Sequence, residues 1–486
     1  MRWSMRAVAL AVALLLNTHG FAQPAPSPGV GLASVIEPLL VGLRVPGARL
    51  GVVVADAATG QVVFQHDPDL PLNPASNAKI LTAAAALSLL GPEHRFVTTL
   101  HGEVRGGVAR ELVLKGRGDP SLRTSDLLDL ARQARAAGLR RVEGDLVVDD
   151  TWLGAEHLPP AFEQRPRETA AYRAAVGAVS VDENALTIRV RPGATGTPAV
   201  VEVDPPGYAV VAAEATSVEG EPARLSIDAT ATRDGRVRLH VTGNVPPGAP
   251  LAAYTRRLES PSIAAGCALR AMLEAAGVRV TGAVRVAAAP TSDGARLARR
   301  ESLPLSALLY EVGKDSNNFY AEMLLLAIAA GQEGGPTTTF ARGAERVVAW
   351  ARGAGVSADG IVVRNGSGLY DANRISARQV AEVLRAAWRD PGTRHEFVSQ
   401  LAVAGSDGTL RERMRDVSAG RVIRAKTGTL DDVIALSGYV LTRDPSRALV
   451  FAVLANGVHG HAPEARALAD AVVGRLVRST VAPPTP

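Results

Sequence analysis

Three short clusters in this chain hold the residue types that acyl-transfer chemistry needs. The first is Ser76 with Lys79, in ASNAKILTAAAAL at residues 75–87. Three apart on a helix, the two side chains share a face. Near a helix start, backbone N–H groups and the dipole also favour developing negative charge. Serine is a poor nucleophile until a base takes its proton, and lysine is a base only when burial or a second cation lowers its pKa. The second cluster is KDSNNFYAEML at 314–324. Ser316 would relay a proton and Asn318 would hold a peptide backbone, although Ser316 or Asn317 would serve equally as a helix N-cap. The third is RAKTGTL at 424–430. Lys426 lies on a strand whose preceding alternation, Val422 and Arg424, is expected to face solvent or a cleft. Gly428 would let a ligand backbone approach the strand edge. Lys426, Thr427 and Thr429 together would bind a carboxylate.

Lysine is scarce here. Only four of the 53 basic residues are lysine: Lys79, Lys115, Lys314 and Lys426. Arginine solvates a surface as well, but it cannot lose its proton near neutral pH. Two of the four lysines fall in the first and third clusters, and Lys314 stands beside the second.

The elements that must position these residues follow from periodicity and turn signals. RLGVVVADAATGQVVFQHD at 49–67 reads as a hairpin about an Ala-Thr-Gly turn. The Ser76 helix follows, with Pro74 at its start and its end near Gly91-Pro92. From about 95 to 300 short β-rich runs recur between turns: ELVLKG, GDLVVDD, ALTIRVRPG, AVVEVDPPG, RLSIDAT and RVRLHVTGN. One Arg/Ala-rich helix interrupts them near 124–138. Beyond 300 come amphipathic helices, then three strands (GRVIRAKTG, IALSGYVLT, RALVFAVLAN) and a helix at about 463–478. The expected fold class is α+β: an antiparallel sheet flanked by helices, built from both ends of the chain. The expected divisions are a signal peptide at 1–22, a discontinuous catalytic domain at 23–93 and 300–480, inserted β-rich domains, two in number, at 94–299, and a disordered tail at 481–486.

The net charge is +5 and the aromatic fraction is 4%. No dense basic run or stacking pattern points to nucleic acid. Arg2 and Arg6 precede the apolar run AVALAVALLL at 7–16, with small residues around Ala22. That pattern predicts export with cleavage near Ala22, and the run is too short for a stable membrane anchor. Cys267, the single cysteine, reads as a small buried hydrophobe and excludes an internal disulfide. The nine histidines show no metal spacing, and His459 and His461 in GVHGH lack a third ligand. Asp407 in GSDGTL is expected to shape a turn.

Each cluster alone is a weak signal. The order SxxK, SxN, KTG is a strong one, shared by penicillin-binding proteins and serine β-lactamases. Longer segments resemble the D-alanyl-D-alanine carboxypeptidase/endopeptidase family, the class C low-molecular-mass penicillin-binding proteins. They include GRGDPSL at 116–122, GDLVVDDTWL at 144–153, LSALLYEVGKDSNNFYAEMLL at 305–325, RNGSGLYDANRIS at 364–376, LAVAGSDGTLRER at 401–413 and AKTGTLDDVIALSGYV at 425–440. The long interval between Ser76 and Ser316 fits that family, which carries its extra domains there.

The resemblance implies a penicillin-recognising, transpeptidase-like catalytic domain and a D-Ala-D-Ala carboxypeptidase that also cuts peptidoglycan cross-links. Ser76 would be acylated and Lys79 would be its base. Ser316 would shuttle a proton to the leaving D-alanine, and Asn318 would hold the acyl-side peptide. Lys426 would set the local field and, with Thr427 and Thr429, bind the terminal carboxylate. The N–H groups of Ser76 and Thr429 would form the oxyanion hole. An aspartate of the insert, Asp150 or else Asp149, would meet the amino end of the stem peptide. RNGSGL carries Asn365 where the family usually has Asp, at a position expected to support a loop. Substrates would be stem peptides and cross-links, β-lactams would inhibit, no metal or organic cofactor is implied, and the setting would be the periplasm. A β-lactamase or esterase of the same fold, or a silent cell-wall-binding scaffold, are the alternatives.

Overall fold

The computed structural model describes residues 29–289, 294–331, 338–442, 444 and 446–480. The expected signal peptide and tail lie outside those residues. Among the described residues, no helix is long and apolar enough to cross a membrane.

β-Branched runs from both ends of the chain meet in one antiparallel sheet. Its six strands lie in the order Ala402–Val403, Ile423–Leu430, Val433–Leu441, Ala448–Asn456, Arg49–Asp56 and Val62–His66. The three central strands are buried on both faces, so they read as nearly continuous apolar runs rather than alternating ones. On one face lie the helices Gly29–Val41 and Ala462–Thr480, packed through Leu32, Ile36, Leu468, Val472 and Leu476. On the other lie the helices Ala78–Leu90, Leu305–Gly313, Asn318–Ala330, Phe340–Gly353 and Ala377–Arg389. The Asn318–Ala330 helix is buried on every side, which explains why its sequence shows no polar face.

The strand Ala402–Val403 pairs with Arg424 and Ala425 only. One edge of the strand from Lys426 to Leu430 is therefore left without a strand partner. That is the geometry an extended peptide needs if it is to lie alongside.

Between the two halves of this unit the chain builds further sheets. A five-stranded sheet and a four-stranded sheet pack with the helices Thr124–Ala136 and Pro261–Ala275 around Leu100, Leu114, Leu130, Val148 and Leu269. Two three-stranded sheets enclose a second core around Ile188, Val190, Leu239 and Val241. The last strand of the five-stranded sheet runs to Glu301, slightly past the boundary expected at 299. Cys267 is free and buried against this second core.

Candidate active site

Ser76 is not on the α-helix itself. Ala75–Asn77 form a single 3₁₀ turn, and the α-helix starts at Ala78. The turn is tightly constrained. Asn73 accepts the Ala75 N–H at 2.9 Å, and Asn73 and Asn456 exchange hydrogen bonds between backbone and side-chain amide at 2.8 and 2.9 Å. Ala75 has φ +46°, a left-handed conformation that a residue with a Cβ adopts at a cost. Two glycines make room for this turn. A Cβ on Gly368 would stand 1.9 Å from the Ala75 carbonyl oxygen, and one on Gly428 would stand 2.9 Å from that of Pro74. The space at Gly428, expected to admit a ligand backbone, is thus filled by the protein's own Ser76 turn.

Lys79 is 1% exposed. Its Nζ lies 2.9 Å from Ser76 Oγ, 2.7 Å from Asn318 Oδ1 and 2.8 Å from the Ser367 carbonyl oxygen. Burial lowers its pKa to about 7, although the Glu322 carboxylate acts the other way. At that value the free amine is well populated near neutrality. The Ser76 contact can then reverse, with the hydroxyl donating to the nitrogen.

Ser316 has φ +60° and its Oγ accepts from Lys426 Nζ at 2.7 Å. Lys426 also donates to the Thr427 carbonyl at 2.9 Å. It is 1% exposed, so of the two expected surroundings, solvent or a cleft, it does not face solvent. Burial pushes its pKa well below the ordinary lysine value, and the charge of Lys79 adds to that. Two buried ammonium groups this near each other are unfavourable together, so the site prefers one proton to two. Asn318 opens its helix. Its Oδ1 accepts from Lys79, and its Nδ2 donates to the Tyr172 carbonyl at 3.0 Å. The N-cap is Asn317, whose side chain accepts from Tyr320 N. Thr427 Oγ1 donates to Thr409 Oγ1 at 2.9 Å, and Thr429 is exposed on the open strand edge.

Ser76, Ser316, Asn318 and Thr429 therefore line one cleft of about 860 Å³. Its far walls are Tyr172 and Arg165 from the inserted segment, the Leu369–Asp371 loop with Arg374, and Asp431 and Asp432. Arg165 reaches across to Asp431, so the cleft is bridged by an exposed ion pair at one end.

Asp150 is not in the cleft. Its Oδ1 accepts the Ala178 N–H at 2.7 Å and its Oδ2 accepts from Ser262 Oγ at 2.8 Å. These bonds join a strand end to the start of a helix within the insert, and they occupy both carboxylate oxygens. Asp149 accepts from Thr151 N and Oγ1 at 3.1 and 2.6 Å. Both expected aspartates thus hold local bonds within the insert, and neither is among the residues lining this cleft. Asp407 accepts the Val403 N–H at 2.7 Å and an ion pair from Lys314 at 2.8 Å, so it does more than shape a turn. Asn365 has a reason to be Asn: its Nδ2 donates to the carbonyls of Pro160 and Leu369, at 3.0 and 3.1 Å. A carboxylate could only accept.

Three residues that sequence reasoning missed touch this machinery. Ser367 supplies a carbonyl to Lys79. Glu322, 1% exposed, binds the Ser367 loop. Glu183 of the insert accepts from Asn317 Nδ2 at 2.8 Å and from Arg123 at 2.6 Å. Glu183 sits in the middle of three consecutive left-handed residues, Asp182, Glu183 and Asn184, with φ 50°, 58° and 53°. Only Glu322 gave a readable signal: it is the lone charge in an otherwise apolar helix, which is the argument that singles out Lys79.

A model of the D-Ala-D-Ala carboxypeptidase 3 (S13) family matches residues 32–478. The chain is 38% identical over 459 residues to the D-alanyl-D-alanine carboxypeptidase of Actinomadura sp. (strain R39), covering 91% of this chain and 83% of that one. Penicillin binding protein 4 (dacB) from Haemophilus influenzae superposes with a TM-score of 0.73 at 22% identity, over 87% of this chain and 93% of that one. The predatory peptidoglycan endopeptidase Bd3459 from Bdellovibrio bacteriovorus superposes with a TM-score of 0.53 at 17% identity, over 90% and 95%. The two structural likenesses establish the fold as that of a penicillin-binding protein, α+β with β-rich insertions.

Proposed function

The chain belongs to the D-Ala-D-Ala carboxypeptidase 3 (S13) family, and from that premise we propose that Ser76 is its acylated nucleophile and Lys79 the base. It is a serine peptidase, a hydrolase of the D-Ala-D-Ala carboxypeptidase type. One observation carries the residue-level reading: Ser76 Oγ lies 2.9 Å from a fully buried lysine whose pKa is lowered to about 7.

The reaction runs in two halves. Lys79, as free amine, takes the Ser76 proton while Oγ attacks the carbonyl carbon of the penultimate D-alanine. The oxyanion is held by the N–H groups of Ser76 and Thr429. The C–N bond then breaks, and the departing amine receives a proton through Ser316, which Lys426 holds at 2.7 Å. Thr427 and Thr429 bind the carboxylate of the leaving D-alanine, and Asn318 holds the acyl-side peptide. Water then attacks the acyl-serine and returns Ser76. A β-lactam enters the same path but keeps its leaving group attached, so its acyl-enzyme persists.

We propose further that the same site cuts cross-links between stem peptides. The open strand edge and a cleft of about 860 Å³ leave room for a second stem beyond the scissile bond. The relative Bd3459 bears the name of a peptidoglycan endopeptidase. Residues 94–299 are proposed as the inserted β-rich domains, 23–93 and 300–480 as the catalytic domain, and the mature enzyme as an exported, periplasmic protein.

The test is intact-protein mass after incubation with benzylpenicillin, wild type beside Ser76→Ala, with D-alanine release from a D-Ala-D-Ala peptide measured in parallel. One stable adduct and D-alanine release on wild type alone is the expected result. Rapid turnover of the penicillin would instead favour a β-lactamase. Absence of both adduct and release would leave a scaffold.

A further inference from the structure

Among the buried ionisable groups that the mechanism above leaves unused, Glu322 stands nearest to its chemistry: it binds the loop whose carbonyl accepts from Lys79. Glu322 lies one turn after Asn318 on the central helix and is 1% exposed. An isolated buried carboxylate is costly, and it persists only where its partners are fixed. Glu322 has fixed partners. Its Oε2 accepts the Gly366 N–H and its Oε1 accepts the Ser367 N–H, both at 2.9 Å, and the Ser367 hydroxyl also bonds to it. Burial pushes the Glu322 pKa up, while the Ser367 hydroxyl, the Gly366 and Ser367 amides and the charge of Lys79 pull it back toward the ionised form, which is acceptor only and suits two backbone donors divided between two oxygens.

These two amides belong to the loop that carries the Ser367 carbonyl, and that carbonyl accepts from Lys79 Nζ at 2.8 Å. The loop is gripped from the other side as well. Thr82 Oγ1, three residues beyond Lys79 on the same helix, donates to the Gly366 carbonyl at 2.8 Å. A Cβ on Gly366 would stand 2.3 Å from the Ala321 carbonyl oxygen, so the loop is pressed against the central helix.

We propose that Glu322 is the positioning residue for the catalytic base. It grips the Gly366 and Ser367 amides, aims the Ser367 carbonyl at Lys79 Nζ, and supplies the negative charge that faces the lysine from the central helix. The proposal rests on the assignment of Lys79 as base. It gives the site three buried ionisable groups, Lys79, Lys426 and Glu322. Lys426, on the strand, opposes a proton on Lys79, and Glu322, on the helix, favours one. Asp315, exposed in the loop between, acts on Lys426. Burial weakens Lys79 as a base. Glu322 returns part of its basicity and keeps the amine oriented. The direction in which Glu322 shifts Lys79 agrees with this.

The experiment is the rate of acylation by a fluorescent penicillin from pH 5 to pH 9, for wild type, Glu322→Gln and Thr82→Val, each checked by thermal melting. In Glu322→Gln the negative charge is gone, so Lys79 loses its proton more easily. The acid limb is expected to move to lower pH by one unit or more, a tenfold gain in free amine at the acid end. Glutamine can accept only one of the two amides, so the plateau should also drop. Thr82→Val loosens the same loop without changing charge, and its plateau should fall with the limb in place. A folded Glu322→Gln whose acid limb coincides with that of wild type overturns the proposal. If that variant does not fold, Ser367→Ala takes its place. It removes one bond to the ionised carboxylate and should move the limb the same way by less, and an unmoved limb overturns the proposal equally. A wild type that neither acylates nor releases D-alanine refutes the assignment of Lys79 as base, and the proposal with it.

Discussion

Replacing Lys79 by arginine separates the lysine's charge from its ability to give up a proton. The guanidinium has five N–H donors, enough for all three acceptors that Lys79 serves: Ser76 Oγ, Asn318 Oδ1 and the Ser367 carbonyl. The variant therefore keeps the cation and much of the bonding. What it loses is the free base. With the lysine pKa lowered to about 7, about half the wild-type enzyme holds neutral amine at pH 7 and about a tenth at pH 6. Arginine at the same pH offers neutral base on the order of one part in 10⁵ or fewer. General-base catalysis is worth about 10²–10⁴ in rate, or about 3–5 kcal/mol of barrier. Acylation of Lys79→Arg by a fluorescent penicillin should fall by that factor while the protein still folds, as seen by melting. Wild type should show an acid limb with its midpoint near 7, because activity is present above the lysine pKa and lost as pH falls through it. A folded arginine variant within tenfold of wild type would refute the reasoning, as would a wild-type limb near the ordinary lysine pKa.

Gly428→Ala should slow acylation about 10- to 100-fold and cost about 1–3 kcal/mol. Its Cβ would meet the Pro74 carbonyl at 2.9 Å and Ala75 Cβ at 3.1 Å, prying the Ser76 turn from the strand. Normal acylation with an unchanged melting point would show that the turn yields freely. Asp150→Ala should destabilise the fold by about 1–3 kcal/mol by orphaning the Ala178 N–H and the Ser262 hydroxyl. KM for a D-Ala-D-Ala peptide should stay within twofold, and a tenfold rise in KM would put Asp150 on the substrate after all. Glu183→Ala frees Asn317 from the insert. It should cut kcat about tenfold, and rescue by glutamine, which still accepts from Asn317, distinguishes positioning from charge. Equal loss in alanine and glutamine variants would point to the Arg123 pair.

What was legible in the sequence is what physics ties to local pattern. β-Branched runs such as VVVAD and ALVFAVLAN became the central strands, and Gly91 ends the Ala78–Leu90 helix at φ 87°. Ser76 and Lys79 were legible because a lone lysine is a rare companion to a serine three residues before it at the start of an apolar helix. Partners distant in sequence were not legible. Nothing near Asp150 announces that its carboxylate will be claimed by Ala178 and Ser262, 28 and 112 residues on. The burial of Lys426 was hidden for the same reason. Val422, just before its strand, and Arg424 on it are half-buried, whereas Lys426 is buried and bonded to Ser316 from a different part of the chain.

The distribution of lysine can now be read through the structure. Lys79 and Lys426 are buried where a depressed pKa is possible, which arginine cannot provide. Lys314 holds the Leu401 carbonyl and Asp407. It also lends its own carbonyl to the Thr409 N–H, and Thr409 Oγ1 in turn accepts from Thr427. Gly408 packs against the backbone of the same residue: a Cβ there would lie 2.5 Å from the Lys314 carbonyl oxygen. In a chain whose cations are almost all arginine, two of the four lysines are therefore buried with lowered pKa values, and a third ties the segment before Ser316 to Asp407 and Thr409.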